Sequence, residues 1–291
     1  MAGLCDEVRT SCAAIAAAAR WVQIDLDALA RVEPGPPPEL DPVRHYLEGT
    51  PQDVATYMLA VDAVNFGSGW FPTLRKRAGC SGYFTVAWAI ADRFRAEGAW
   101  TPAGLRAMST GEIAATLGQR ADHELMALYA QALRSLGAFL GGRDALAVVG
   151  EARGSAERFA QQLAGGMALF ADRGFYKRAQ IAAADLALAG VARFGDLDRL
   201  TIFADNLVPH VLRCDGVLRY DERLATHIDA GLLLASGPQE REIRACAVHA
   251  CELIAARAGA TAHELDNWLW TRGQAPQYKT RPRHRTRCVY Y

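Results

Sequence analysis

The sequence predicts a mostly α-helical chain that folds as one compact domain over residues 1–291, with a short β-hairpin as the one candidate for strand. Three observations carry this. Apolar residues recur at three-to-four spacing through most of the chain, the period that aligns one face of an α-helix. Alanine, the best intrinsic helix former, is abundant within those stretches. No fixed-period repeat is visible, which disfavours a stacked solenoid. A chain of 291 residues, 51% of them hydrophobic, can also bury a substantial core.

Residues 5–31 predict one long helix, with Val8, Cys12, Ile15 and Ala19 on a face that Trp21, Ile24 and Leu29 continue. The proline-rich run from Glu33 ends it, because consecutive prolines remove donors and restrict their predecessors. A helix over 51–64 follows, capped by Thr50 with Pro51 at the favoured first position. Residues 65–72 form a glycine-rich turn with three aromatics, and together with 79–83 they are the candidate hairpin. Helices then run over 83–97, from Thr101, from Thr110 through Ile113 and Leu117, over 122–140 and over 155–170. The alanine-rich stretch 177–192 is another, with Lys177 and Gln180 in its first turn. Residues 197–199 lead into a short helix that includes Phe203 and Asp205 and is followed by Pro209. The clearest amphipathic helix spans 240–258, with Ile243, Cys246, Ala250 and Leu253 as its apolar stripe. A last helix over 263–272 precedes a basic tail.

Charge and cysteine content narrow the function class. Lys plus Arg and Asp plus Glu each number 32, so net charge gives no reason to expect a large polyanionic partner. The patch 279–287 is nevertheless cationic and suits a small phosphorylated ligand better than a duplex, although a solvated basic tail reads the same way. The seven cysteines form no CxxC pair, which argues against a zinc site or a disulfide framework and for small core residues in a reducing cytoplasm. No apolar run approaches a membrane span, and the N-terminus lacks the pattern of a signal peptide. Neither HExxH, GxGxxG nor GxxxxGK[ST] occurs, so the expected chemistry is cofactor-independent and metal-free.

Three segments set ionisable groups directly beside aromatic residues: Phe175-Tyr176-Lys177-Arg178, Ile202-Phe203-Ala204-Asp205, and Leu265-Asp266-Asn267-Trp268. Such surroundings shift pKa values and suggest a hydrolase pocket. Chain ends usually fray. A stretch closing on Val289-Tyr290-Tyr291 is instead expected to dock into the fold and to place a carboxylate.

The order of these segments is more specific than any one of them. FYKRAQ at 175–180, FAD at 203–205 followed by Pro209, QEREIRAC at 239–246, LDNWLW at 265–270 and HRTRCVYY at 284–291 occur in sequence, with DAVNF at 62–66 and SGY at 81–83 upstream. This resembles the queuosine salvage protein family, the queuosine 5′-phosphate N-glycosylase/hydrolases, over nearly the whole chain. The resemblance implies a hydrolase that releases queuine from queuosine 5′-monophosphate for tRNA modification. It also implies a helical fold similar to helix-hairpin-helix DNA glycosylases. The family often carries an aromatic residue and then an arginine after the aspartate, where this chain has Asn206 and Leu207.

Cleaving an N-glycosidic bond gives the sugar oxocarbenium character, which calls for a nearby carboxylate and an oriented or activated water. Asp266 is the candidate for that work, and Asp205 for gripping the amine or polar edge of queuine. Asp205 is equally placed to cap a helix, and Asp266 to pair with Arg244 or Arg272. Lys177 and Arg178, at a helix start, are candidates for the 5′-phosphate, with Lys177 alternatively catalytic near the sugar. By the resemblance His45 lies near the base. Phe66, Trp70, Tyr83 and Phe203 are candidates to surround the flat ring, Asn206 to contact the ligand, and Tyr291 to reach the pocket. Two other readings stand beside hydrolysis: a non-catalytic carrier of queuine or a related base, and a glycosylase acting on a base within a nucleic acid. The neutral net charge weighs against the latter and against a stable nucleic-acid partner.

Overall fold

The computed structural model describes residues 3–36 and 38–291. Its first helix ends earlier than periodicity suggests. The stretch 5–31 forms three elements: helix α1 (Leu4–Ala17), strand β1 (Val22–Ile24) and short helix α2 (Leu26–Ala30). A carboxylate far along the chain imposes the break. Glu242 Oε1 accepts from the backbone N–H groups of Arg20, Trp21 and Val22 at 2.9, 2.5 and 2.8 Å. Those donors converge on one oxygen, so they cannot point along a helix axis. Asp25 then restarts the helix by accepting from the Ala28 N–H at 2.8 Å.

Helix α3 (Pro51–Ala63) begins with the predicted cap, Thr50 and Asp53 exchanging hydrogen bonds in a capping box. Every residue from Val54 to Ala63 is buried. Side chains such as Tyr57, Met58 and Leu59 each contribute on the order of 1.5–3 kcal/mol by leaving water. Around it stand α4 (Gly82–Glu97), α5 (Pro102–Ala107), α6 (Thr110–Thr116), α7 (Glu124–Leu140), α8 (Ala145–Gly150), α9 (Ala156–Gly166) and α10 (Lys177–Leu188). Of these, α4, α7, α8 and α10 touch α3 directly, while α5 and α6 brace α7. The second half adds α11 (Leu207–Cys214), strand β2 (Leu218–Tyr220), α12 (Glu222–Asp229), α13 (Pro238–Ala258) and α14 (Ala262–Arg272). Helix α1 lies along α13, and α14 packs on α11 and α13. Gly259 closes α13 at φ 65°, a left-handed conformation that glycine adopts without a Cβ clash. One hydrophobic core runs through both halves.

The described residues do contain a small antiparallel sheet, but not where the sequence suggests. Val22 faces Tyr220 and Ile24 faces Leu218, pairing strands far apart in the chain. The stretches 65–72 and 79–83 are not a hairpin. Phe71–Thr73 is a 3-10 turn, and Ser81 caps α4 by accepting from the Phe84 N–H at 3.2 Å. That turn is committed elsewhere: the Gly67 N–H donates to the Tyr291 carbonyl at 3.0 Å.

Two further expectations shift. Phe203 and Asp205 sit on an extended segment, and Pro209 falls inside the first turn of α11, where its missing N–H would have no helical partner. On α13, Ile243, Cys246 and Ala250 are buried, whereas Leu253 is 37% exposed. The short helices α8 and α12 were not foreseen. All seven cysteines are free, and burial pushes the Cys5, Cys12 and Cys246 thiols up to about 12. No helix among the described residues is long and apolar enough to cross a membrane.

Candidate active site

A cavity of about 330 Å³ opens between α4, α10, α14 and the segments 38–45, 65–71 and 203–207. Its wall combines aromatic rings with ionisable groups from distant parts of the chain, among them Lys177, Asp185, Asp205, Asp266 and Arg283.

The segment bearing Asp205 is pinned at three successive residues. The Phe203 N–H donates to Asp266 Oδ1 at 2.9 Å. The Ala204 carbonyl accepts from Arg244 Nε at 2.8 Å. Asp205 Oδ1 accepts from the N–H groups of Leu207 and Val208, at 2.7 and 3.1 Å, and so caps α11. Asp205 thus takes the helix-capping position and also lines the cavity. Asp266 pairs with neither arginine considered for it. Arg244 is engaged by Asp172 (2.5 Å) and Glu240 (3.3 Å), and Arg272 by Asp215. Buried and beside the negative charge of Asp205, Asp266 has its carboxyl pKa pushed up to about 8.

Lys177 is aimed from a strained start. Tyr176 takes a left-handed conformation at φ 50° immediately before α10, costing roughly 1–3 kcal/mol for a residue with a Cβ. The Lys177 ammonium donates to the Asn65 carbonyl at 3.0 Å, and burial lowers its pKa against the opposing pull of Asp205, Asp62 and Asp266. Burial raises the carboxyl pKa of both Asp62 and Asp185, and the charge of Asp185 raises that of Asp62 further. Among the described residues neither Asp62 oxygen has a hydrogen-bond partner.

The aromatic wall comes from α4 and α14. Tyr83, Phe84 and Trp270 meet edge to face with centroids 5.3–5.4 Å apart. His45 Nδ1 lies 3.1 Å from the Asp41 carbonyl, which can only accept, so this nitrogen carries the proton and Nε2 accepts from the Tyr83 hydroxyl at 3.3 Å. Burial lowers the pKa of His45 and keeps it neutral. Asn206 lines the cavity while its amide donates to the His284 carbonyl at 2.9 Å, tying the last segment of the chain to the site. Tyr291 is buried over Arg244, 4.7 Å from ring centroid to guanidinium, and its ring edge meets His284.

The cavity thus gathers Asp266, Asp205, Lys177, His45, Phe203, Asn206, Phe66, Tyr83 and Tyr291. Two candidates lie outside it. Arg178 is buried outside the cavity wall, with its two terminal nitrogens donating to the carbonyls of Ala63, Leu169 and Val289. Trp70 turns away to donate from Nε1 to Glu124 at 2.8 Å. The wall also includes residues that the sequence does not single out as site residues, among them Phe84, Asp185, Trp270 and Arg283. A signal for Asp185 was present, because Lys177, Ile181, Asp185 and Leu188 form one stripe at helical spacing, and all four line the cavity. Among the described residues no group of three or more histidine, cysteine, aspartate or glutamate side chains is gathered to hold a metal ion.

Comparison with known proteins shows which family the chain is similar to. A family model described as "Queuosine salvage protein" matches residues 45–291. A protein of Sphaerobacter thermophilus named queuosine 5′-phosphate N-glycosylase/hydrolase is 33% identical over 310 aligned residues, covering 94% of each chain. Proteins of the same name from Mus musculus and Dictyostelium discoideum are 35% and 38% identical over 136 and 127 residues, about 40% of each chain.

Proposed function

The chain belongs to the queuosine salvage protein family, and we propose that it hydrolyses the N-glycosidic bond of queuosine 5′-monophosphate, releasing queuine. The observation that carries this reading is the convergence of Asp205, Asp266 and Lys177 in one aromatic-walled cavity. No one segment of the chain supplies all three.

The reaction needs little else. Tyr83, Phe84 and Trp270 offer apolar faces to a flat deazapurine, and the neutral His45 sits beside them. As the bond to C1′ breaks, its electron pair leaves with the base nitrogen, which takes up a proton from solvent that Asp266 returns after the step, and positive charge grows on the ribose. Asp205, fixed through Oδ1 by two amides, presents its other oxygen with no hydrogen bond among the described residues. A carboxylate held in this way stabilises a neighbouring cation without reorganising. Asp266 suits the water: a base with a pKa of about 8 accepts a proton near neutral pH far better than an ordinary carboxylate. The water oxygen bonds to C1′ and its proton passes to Asp266, leaving ribose 5-phosphate. Lys177 offsets the charge of the surrounding aspartates, so the cavity does not carry several unbalanced negative groups. The substrate is a small molecule, and the whole chain, 1–291, is taken to act as one domain.

The test is to incubate the purified protein with queuosine 5′-monophosphate and follow free queuine by mass spectrometry, beside Asp266→Asn. Release by the native protein and loss in the variant supports hydrolysis with Asp266 in the chemistry. Binding without release would instead make the protein a carrier.

A further inference from the structure

The carboxyl of Asp62 is enclosed at the end of α3, with no exposure to solvent. Among the described residues nothing donates a hydrogen bond to either of its oxygens. An ionised carboxylate there would be a buried charge without a donor, one of the costliest arrangements in a protein interior. A protonated carboxyl needs only an acceptor. Asp185 supplies one: α10 packs on α3, and the two carboxyls lie within hydrogen-bonding reach of each other. Two ionised carboxyls are both acceptors and cannot bond, so a proton must lie in that contact. The surroundings decide which acid carries it. Asp62 lies behind the cavity wall, whereas Asp185 lines the cavity and shares the exposed stripe of α10 with Lys177, about two turns away. The contact itself favours the neutral form of Asp62 and the charged form of Asp185. Lys177 also favours a charged Asp185, while its own ammonium donates to the carbonyl of Asn65, in the turn that follows Asp62.

We propose that Asp62 is a positioning residue: its carboxyl donates a hydrogen bond to Asp185 and holds it as a fixed carboxylate in the cavity wall, where Asp185 steadies Lys177 beside Asp205 and Asp266. The inference rests on the hydrolase reading for the reaction it serves. With Asp62 neutral, one negative charge rather than two faces Lys177 from the α3 side, and the ammonium stays available to the aspartates assigned to the sugar and the water. Asp62 touches no substrate atom in this scheme and acts only through Asp185.

Rates on queuosine 5′-monophosphate test it with Asp62→Leu, Asp62→Asn and Asp185→Ala. Asp62→Leu fills the space without a donor and should lower kcat/KM by roughly tenfold to a hundredfold, as expected for losing a hydrogen bond to a charged group. Asp62→Asn keeps a donor and should recover most of that loss. In the Asp185→Ala background Asp62→Leu should cost little more, because the acceptor it serves is already gone. Infrared spectroscopy supplies a readout without turnover: the native protein at neutral pH should show a protonated-carboxyl band that Asp62→Asn lacks. Where Asp62→Leu fails to fold, Asp62→Asn and the band still decide. Asp62→Leu as active as the native protein, Asp62→Asn as impaired as Asp62→Leu, additive losses with Asp185→Ala, or an unchanged band in Asp62→Asn would each overturn the proposal. A native protein that shows the band but cleaves nothing would uphold the hydrogen bond and sink the hydrolase reading instead.

Discussion

If Asp266 must be ionised to accept a proton from water, the pH profile of turnover is fixed by its surroundings. With a pKa of about 8 in the empty cavity, about one molecule in ten carries the carboxylate at pH 7, and about one in a hundred at pH 6. A plot of log kcat/KM against pH should therefore climb with a slope near one and level off around pH 8. The substrate phosphate titrates near pH 6, so the informative window lies above that. Asp266→Asn should lower kcat by roughly 10²–10⁴-fold and abolish the climb. The variant should still fold, because an asparagine oxygen can accept from the Phe203 N–H as Asp266 does. Stability supplies an independent control. A carboxyl whose pKa is raised on folding holds, between about pH 4 and 8, a proton that the unfolded chain has released. Its contribution is thus present at low pH and lost as pH rises through that window, and Asp62 and Asp185 act in the same direction. Tm should fall from about pH 5.5 to about pH 8.5, and less steeply in Asp266→Asn. A native profile that stays flat between about pH 6.5 and 8, or a variant that keeps full turnover, would refute the assignment of Asp266 as base.

Three other outcomes follow from the geometry. Lys177→Gln removes a positive charge that lowers the Asp266 pKa, so the alkaline plateau of any residual activity should move to higher pH in the same rate measurements. Arg244→Leu strands the buried carboxylates Asp172 and Glu240 and frees the Ala204 carbonyl. Urea unfolding should show a loss of about 3–5 kcal/mol. Gly69→Ala would set a Cβ 2.6 Å from the Thr286 carbonyl oxygen, displacing the segment that carries Arg283 and Tyr291. A stability loss of about 1–3 kcal/mol should accompany a larger fall in turnover, and an unchanged KM for the nucleotide would contradict that coupling.

Much of this was legible in the residue order, because helices are built from local information. Thr50 with Pro51, and Ser155 ahead of α9, announce their caps within four residues. What escaped depends on partners far away in sequence. Nothing between residues 5 and 31 says that Glu242 will gather three of its amides, so an apparently continuous helix becomes helix, strand and helix. The site divides in the same way. Asp205, Asp266 and Lys177 were visible because each stands beside aromatic residues, and all three line the cavity. Arg178 and Trp70 looked alike at that level, but a backbone carbonyl cluster claims one and Glu124 the other. Arg283 could not be told from its neighbours in a basic tail until the fold placed it in the cavity wall.

The long-distance packing of α1 also bears on how the chain is made. Its apolar face, with Val8 and Cys12, is covered by α13, and β1 awaits both its strand partner β2 and Glu242. At roughly 5–20 residues per second on the ribosome, the 230 or so residues separating α1 from α13 correspond to about 10–50 seconds of synthesis. For much of that interval the first helix has only α9 and the segment around 174–180 to pack on, and the face that meets α13 stays uncovered. The step that covers this face of α1 therefore waits for the synthesis of α13, and that segment is where a holding chaperone would be needed longest.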